Sequence, residues 1–274
     1  SVIRHGRVVR LEGDVAIVCG GAIGSVGVLL RSGIGPKADT DRLGVPSVVD
    51  SPTVGARLLD HSGTAVLVTP RRASLADRTQ PVLQVLLRYS SIGGEHPDDM
   101  QLQPGSWLPI FGLELPVLAI MCANGKPKGQ GRIRFRSRDP YDKPHVEADF
   151  LAHASDRDKL FEGLERIHAF LRTPALRELA VPLFPTEGVL RRPARLRALQ
   201  PKITGSGYHA CGSIPMSAER IEDGAVDGRL RLRGVDGVYV ADASVMPTIP
   251  SSNTNLPTIM IAERFAELLI QGRR

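Results

Sequence analysis

Three polar residues near the carboxyl end of the chain, His209, Asp242 and Asn253, have side chains that suit proton transfer or ligand binding. An imidazole has a pKa near neutral pH, so His209 can accept the proton of a hydroxyl group. The Asn253 amide cannot act as a base, but it can donate a hydrogen bond to an oxygen on which negative charge develops. By residue type alone, a lone histidine is more often structural, and an asparagine in a Ser-Ser-Asn loop is more often a turn residue.

The elements that must position these side chains are a strand, a turn and a helix. The apolar run VYVAD predicts a strand that ends at Asp242, and Pro247 and Pro250 then indicate a turn. Thr254 and Asn255 stand at the start of a predicted helix. Ligands of open α/β sheets bind beyond the carboxyl ends of strands, and a helix start directs N–H groups and a positive dipole end outward. This order therefore predicts a binding site.

A second strand, turn and helix are predicted near the start of the chain. The apolar run VAIVC at 15–19 precedes the glycine turn GGAIG at 20–24. Because the run does not alternate, we expect a strand covered on both faces. Ser25 suits the N-cap of the helix and Gly33 its end. A turn such as that at Gly21 can bring N–H groups against a phosphate, but the spacing differs from G-x-G-x-x-G, so a nicotinamide dehydrogenase is a distant alternative.

The middle of the chain predicts an antiparallel sheet and then a helix. The helix is expected to have Ser155 as its N-cap and to end before Pro174, and its His168 is interpreted as structural. A basic connector or short helix follows at 191–202. The candidate strands, which are separated by turn residues, lie at 65–70, 82–91, 117–122 and 131–137.

Composition limits the classes of protein. Hydrophobic residues make up 42% of 274 residues, which is enough for a packed core, and the apolar runs are too short to span a membrane. The net charge is +6, but the arginines are dispersed and aromatic residues are only 4%, so no nucleic-acid partner is expected. The three cysteines have no metal-ligand or redox spacing. We therefore expect free thiols, no metal and a cytoplasmic location.

Several segments resemble the glucose-methanol-choline (GMC) oxidoreductases. GGAIGSVGVLLRSGIGP at 20–36 resembles the second signature of that family, and YHACGS at 208–213 resembles its YHPVGT segment. VGARLLDH at 54–61 and ADAS at 241–244 are similar to further family segments, and so is the central block at 129–176. The resemblance therefore covers nearly the whole chain.

The resemblance implies an α/β fold, α+β overall, in which a partial FAD-binding domain is interrupted by an antiparallel-sheet substrate domain. The expected division is an FAD-binding part at 1–64, a substrate-binding part at 65–203, and a catalytic and FAD-binding part at 204–274. The resemblance also implies that flavin N5 accepts a hydride from an alcohol, with His209 as the base and Asn253 as its partner. The implied cofactor-binding residues are Gly21, Asp242, Ala243, Thr254 and Asn255, with Asp60 and His61 as second-rank candidates near the flavin.

The sequence departs from the family pattern in two ways. Val26 and Ala210 replace prolines, and Arg57 replaces an asparagine. In addition, the G-x-G-x-x-G segment that holds the ADP moiety in the family does not occur in these residues. Either these residues are a fragment of a longer chain, or the enzyme consists of two chains made by a split gene or by cleavage. We expect an N-terminal companion chain that carries this segment, together with a small-molecule alcohol substrate. A hydroxynitrile lyase of the same fold and a non-catalytic subunit of a flavoprotein complex remain alternatives.

Overall fold

The computed structural model describes residues 2–75, 77, 79–105 and 117–271. The strands are β1 (Val2–Arg4), β2 (Arg7–Val9), β3 (Ala16–Val18), β4 (Ile34–Gly35), β5 (Val49–Asp50), β6 (Ser62–Pro70), β7 (Leu87–Tyr89), β8 (Met100–Gly105), β9 (Leu118–Asn124), β10 (Arg132–Arg134), β11 (His145–Glu147), β12 (Ala180–Phe184), β13 (Gly205–Ser206) and β14 (Val238–Val240). The α-helices are α1 (Gly21–Arg31), α2 (Lys37–Leu43), α3 (Ala154–Leu171), α4 (Pro174–Arg177), α5 (Glu187–Leu190), α6 (Pro193–Ile203) and α7 (Asn255–Gln271). Two 3₁₀ turns span Ala73–Leu75 and Ala243–Val245.

The two ends of the chain meet in one α/β unit. β14 runs parallel to β3, with Val238 opposite Ala16 and Val240 opposite Val18. Parallel strands end at the same edge, so the glycine turn after β3 and the turn at Asp242 after β14 become neighbours. α1 follows β3 and shares one hydrophobic core with residues of the carboxyl-terminal part. The strand, turn and helix predicted at each end of the chain are thus confirmed.

One expectation about β3 is wrong. The apolar run at 15–19 does form a strand, but its faces are not covered. Among the described residues, β3 pairs with β14 alone, and the Ile17 side chain is 46% exposed. A run without alternation indicates burial only where other layers cover both faces, and the described chain does not supply them.

The start of α1 also differs from the prediction. Gly20 is the N-cap, and Ser25 lies inside the helix. The Ser25 Oγ accepts a hydrogen bond from the Gly20 N–H at 2.9 Å, so the serine binds the turn from within the helix. The predicted end is confirmed, because Gly33 follows the C-cap Ser32 and has a left-handed φ of 81°.

The antiparallel sheet predicted for the middle of the chain is confirmed. Its strands lie in the order β12, β6, β9, β8, β7, and β13 also pairs with β6. β6 and β9 match the apolar runs at 65–70 and 117–122, whereas only β7 forms within 82–91. β10, from the run at 131–137, pairs with β11 outside this sheet. The sequence does not predict β8, because its residues MQLQPG include two glutamines and a proline.

α3 packs against this sheet. Its N-cap is His153 rather than the predicted Ser155, and the Ser155 N–H donates to His153 Nδ1 at 3.2 Å. His168 is buried with its Nε2 at 2.9 Å from Pro185 O, in agreement with a structural role. The helix ends before Pro174, as predicted. The buried apolar stripe consists of Leu160, Leu164, Ile167 and Leu171.

Four broader expectations have different outcomes. In the part of the chain that the structure describes, no helix is both long and apolar enough to cross a membrane. All three cysteines are free thiols, as expected. The cytoplasmic location and the division at 1–64, 65–203 and 204–274 stay predictions.

Gly163 of α3 lies where a side chain has no room. A Cβ at this position would lie 2.6 Å from Cys122 Sγ and 2.8 Å from Cys122 Cβ, inside the core. We expect Gly163→Ala to lower the free energy of unfolding by about 1–3 kcal/mol, although alanine favours a helix by about 1 kcal/mol. Gly24→Ala in α1 is the matched control, because a Cβ there meets nothing within 4 Å. Urea denaturation of both variants tests this, and an unchanged or higher stability of Gly163→Ala would contradict it.

Candidate active site

The candidate site forms where the segment before β6 pairs with the segment after β13. Leu59 and Cys211 exchange backbone hydrogen bonds of 2.9 and 2.8 Å, and the Gly207 N–H donates to His61 O at 2.8 Å. Between these contacts the segment after β13 has three residues, 208–210, whereas the segment before β6 has only Asp60. The segment after β13 therefore forms a bulge. His209 lies at the centre of the bulge. The bulge therefore moves the His209 side chain out of the regular pairing of the two segments.

Asp60 lies opposite the bulge and holds its backbone. The Asp60 Oδ1 accepts a hydrogen bond from the His209 N–H at 2.9 Å, and its Oδ2 accepts one from the Ser206 hydroxyl. The Ser206 Oγ in turn accepts a hydrogen bond from the Tyr208 N–H at 2.8 Å. Tyr208 has a φ of 61°, a conformation that bulky residues rarely adopt. These bonds therefore stabilise an otherwise unfavourable backbone, and Asp60 shapes the loop that carries His209.

The imidazole rings of His61 and His209 are in contact. Their Nδ1 atoms are 2.9 Å apart, and the ring planes meet at 77°. The buried His61 also has its Nε2 at 2.8 Å from Pro250 O and at 3.1 Å from Gly125 O. Burial lowers the pKa of both rings, although the Pro250 carbonyl opposes this at His61 and the charge of Asp60 opposes it at His209. Both imidazoles are therefore neutral at neutral pH.

The loop that precedes Asn253, residues 247–252, is held mainly through its backbone oxygens. We call it the proline loop. Side chains of β7 and β8, of the residue before β6 and of the segment after β9 reach it, so it is fixed from several sides. The contacts run from Lys126 Nζ to Ile249 O, from His61 Nε2 to Pro250 O, from Gln101 Nε2 to Ser251 O at 2.8 Å, and from Arg88 Nη2 to Ser251 Oγ at 2.8 Å.

Asn253 itself is exposed, and its side chain has no hydrogen-bond partner among the described residues. His61 contacts both the His209 ring and the proline loop, and Asn253 directly follows that loop. The pairing of His209 with Asn253 across a substrate stays a prediction.

Asp242 and Gly21, two of the predicted cofactor-binding residues, contact each other. The buried Asp242 carboxylate accepts hydrogen bonds from the Gly21 N–H at 2.9 Å, from the Ser25 hydroxyl, and from the Ser244 N–H at 2.8 Å. A carboxylate at the start of α1 is favoured by the helix dipole. In this chain Asp242 therefore joins the glycine turn to the end of β14.

A short backbone pairing connects Asp242 to the His209 segment. The Gly212 N–H donates to Ala243 O at 3.0 Å, and the Ile214 N–H donates to Ser244 O at 2.8 Å. Arg57, which stands where the family has asparagine, lies on the same junction and donates to Gly212 O at 3.1 Å. His209 and the residues Gly21, Asp60, His61, Asp242 and Ala243 thus belong to one hydrogen-bonded framework.

The start of α7 is open. Thr254 is buried and its carbonyl accepts the Thr258 N–H at 3.0 Å, whereas Asn255 and Leu256 are exposed. The first N–H groups of any α-helix have no partner within the helix. The described part of the chain therefore presents a partly positive helix end next to the proline loop, which suits an anionic or electron-rich group.

Sequence reasoning missed the residues that hold the proline loop. Gln101 is buried in β8, Arg88 lies on β7 and Lys126 follows β9. A buried glutamine within a strand indicates a specific hydrogen bond, but it does not indicate which loop is bound. Only the tertiary structure brings these strands to residues 247–252.

Two family models described as GMC oxidoreductase match the chain. The N-terminal model matches residues 2–63, and the C-terminal model matches residues 127–262. The chain belongs to the GMC oxidoreductase family, which confirms the resemblance found in the sequence.

The curated relatives are longer than this chain. The 5-(hydroxymethyl)furfural oxidase of Methylovorus sp. (strain MP688) is 32% identical, and the match covers 98% of this chain and 53% of that protein. Choline oxidase of Arthrobacter globiformis is 30% identical, with coverage of 92% and 48% respectively. The chain thus spans about half the length of the curated relatives it matches.

Solved structures share the fold. Pyridoxine 4-oxidase from Mesorbium loti matches with a TM-score of 0.77 at 24% identity, over 92% of this chain and 50% of that chain. Formate oxidase of Aspergillus oryzae RIB40, an FAD protein, matches with a TM-score of 0.82 at 20% identity, over 92% and 53%. The fold class is therefore confirmed, and FAD is confirmed as the cofactor of the family. Both family models match within this one chain, and the comparisons give no support to a separate companion chain.

Removal of the Asp242 carboxylate leaves three donors, two of them buried and one partly buried, without their acceptor. We expect Asp242→Ala to lower the free energy of unfolding by about 2–4 kcal/mol, because each unsatisfied buried donor loses its bond and remains desolvated. Asp14→Ala, which removes an exposed carboxylate just before β3, is the control and should change stability by less than about 0.5 kcal/mol. Urea denaturation provides the comparison, and equal stabilities of the two variants would show that Asp242 is not a structural junction.

Proposed function

We propose that this chain contributes the catalytic residues of an FAD-dependent enzyme that oxidises a small-molecule alcohol, with His209 as the base and Asn253 as its partner. Membership of the GMC oxidoreductase family supports the class of reaction. The observation that carries the proposal is a partly exposed, neutral imidazole at His209, one nitrogen of which is held by the buried ring of His61.

Oxidation of an alcohol to a carbonyl compound removes a hydride from carbon and a proton from oxygen. His209 accepts the proton at Nε2, because its Nδ1 is engaged by His61 and its Nε2 has no partner among the described residues. The lowered pKa keeps the ring unprotonated at neutral pH, which is the form that a base requires. The Asn253 amide donates a hydrogen bond to the same oxygen as its proton leaves.

The described residues fit a flavin at the junction of the two chain ends. When bound, FAD supplies the two-electron acceptor for the hydride. Thr254 and Asn255 would hold it through the open start of α7, and Gly21 and Ala243 would hold it through the turns that meet at the edge of β3 and β14. Asp242 would act on these turns, because its carboxylate is already bonded to the Gly21 N–H.

The role of His209 can be tested by flavin reduction. We expect His209→Ala to slow anaerobic bleaching of the bound flavin by an alcohol by about 10²–10⁴-fold, with an unchanged FAD content, because the proton acceptor is lost. His145→Ala is the matched control, since it removes an exposed imidazole from β11. Bleaching by itself separates an oxidoreductase from a hydroxynitrile lyase. Undiminished bleaching in His209→Ala would remove His209 from the mechanism.

The same proposal fixes the direction of the pH dependence. Because burial lowers the pKa of His209 from its ordinary 6.5, the base form persists below that pH, and kcat/KM should fall only as the pH drops through the lowered value. Asp60 and His61 are the titratable groups that contact this residue. Initial rates measured between about pH 4.5 and 8 give the profile, and an acid limb above pH 6.5 would contradict the assignment.

We also propose that the companion chain expected from the sequence covers the open α/β surface. Ile17 of β3 is exposed, and α7 buries only Phe265 among its described residues, although Leu256, Ile259 and Met260 are apolar and exposed. Exposed apolar surface of this kind favours association. Native mass spectrometry of the enzyme from its natural source tests the proposal. A second polypeptide supports it, and a single polypeptide that retains FAD refutes it.

A further inference from the structure

The hydrogen bonds of His61 determine which of its nitrogens carries a hydrogen. Its Nε2 lies 2.8 Å from Pro250 O and 3.1 Å from Gly125 O. Carbonyl oxygens only accept hydrogen bonds, so the Nε2 must donate and therefore carries a hydrogen. His61 is also buried, which lowers its pKa and keeps the ring neutral. A neutral imidazole has one N–H, so the Nδ1 of His61 is left as an acceptor.

The tautomer of His61 then determines that of His209. The two Nδ1 atoms are 2.9 Å apart, a hydrogen-bond distance, and one of them must donate. Because the His61 Nδ1 can only accept, the His209 Nδ1 must carry the hydrogen. Neutral His209 consequently has a bare lone pair on Nε2, which is the nitrogen that faces away from His61.

We propose that His61 is a positioning residue that fixes His209 in the Nδ1–H tautomer, with Nε2 free to accept the substrate proton. This inference rests on the proposed function of His209 and deepens it. After proton transfer, the His209 Nδ1–H still donates to the neutral His61, and the bond becomes charge-assisted and stronger. His61 therefore also stabilises the imidazolium that the reaction forms.

The neighbouring residues support this division of roles. Asp60 bonds the backbone N–H of His209 and the Ser206 hydroxyl, so the carboxylate fixes the loop and leaves the ring to His61. Gly207 permits the close approach, because a Cβ there would lie 3.2 Å from His61 Cβ and 3.3 Å from His209 Nδ1. The ring contact is thus built into the bulge.

Three variants separate the tautomer effect from simple loss of a buried histidine. His61→Leu removes the acceptor, whereas His61→Asn places an amide oxygen where the His61 Nδ1 lies and can restore it. His168→Leu is the matched control, because His168 is also buried and contacts a backbone carbonyl, Pro185 O at 2.9 Å, but it lies on α3 away from His209.

The first readout is the protonation of the His209 ring itself, measured by two-bond ¹H–¹⁵N NMR correlation on the flavin-loaded protein labelled with ¹⁵N-histidine. A His209→Gln spectrum assigns the signals. We expect the Nδ1–H tautomer in the unaltered protein, in His61→Asn and in His168→Leu, and a shift toward the Nε2–H tautomer in His61→Leu. An Nε2–H tautomer in the unaltered protein overturns the proposal, and so does an Nδ1–H tautomer that persists in His61→Leu.

The second readout is the rate of flavin reduction by an alcohol. We expect His61→Leu to lower this rate by about 10–10²-fold with unchanged FAD content, and His61→Asn to recover most of the loss, because the general base is then present in its active tautomer. Equal losses in the leucine and asparagine variants would contradict a tautomer role. If alcohols fail to bleach the flavin of the unaltered protein, the proposed function fails. The NMR result on the His209 tautomer in the His61 variants does not depend on that outcome.

Discussion

The candidate site depends on one backbone pairing, that between the residues before β6 and the residues after β13. The reciprocal bonds of Leu59 and Cys211 and the bond from Gly207 to His61 O fix the register of two segments that are distant in sequence. This register places Asp60 against the His209 backbone and His61 against its ring. A shift by one residue would turn these side chains to the opposite face. Two adjacent residues, Asp60 and His61, therefore contact both the backbone and the ring of His209.

The same framework extends from His209 to the turns at the edge of the α/β unit. Gly212 and Ile214 pair with the residues that follow Asp242, and Asp242 in turn binds the start of α1. His209, the predicted base, and the turns proposed to bind the flavin are thus joined by backbone hydrogen bonds and by the Asp242 carboxylate. Sites built on rigid backbone hold their geometry more accurately than sites on isolated loops.

The sequence predicts local features of this protein better than the relations between distant residues. The strand ending before Asp242, the helix after Thr254 and the antiparallel sheet follow from apolar runs and turn residues, because these signals are local. The sequence does not predict that α1 begins directly after Gly20, because the Asp242 carboxylate, more than two hundred residues away, binds the Gly21 N–H. β8 has no clear strand pattern, yet it forms because β9 and β7 pair with it on both sides. The contact of His61 with His209 arises only when two segments come together, so His61 could be named from the family segment without its partner being known.

The manner in which the proline loop is held has a consequence for how this fold diversifies. Most of the side chains that hold the loop bind its main-chain oxygens, which are present whatever the side chain is. These oxygens belong to Ile249, Pro250 and Ser251. Mutations in the loop can therefore alter the chemical character of the surface it presents without releasing the loop from its place. Side chains in the loop can therefore change during evolution while the loop keeps its position next to His61, because substitutions alter side-chain atoms and the anchoring bonds use main-chain atoms.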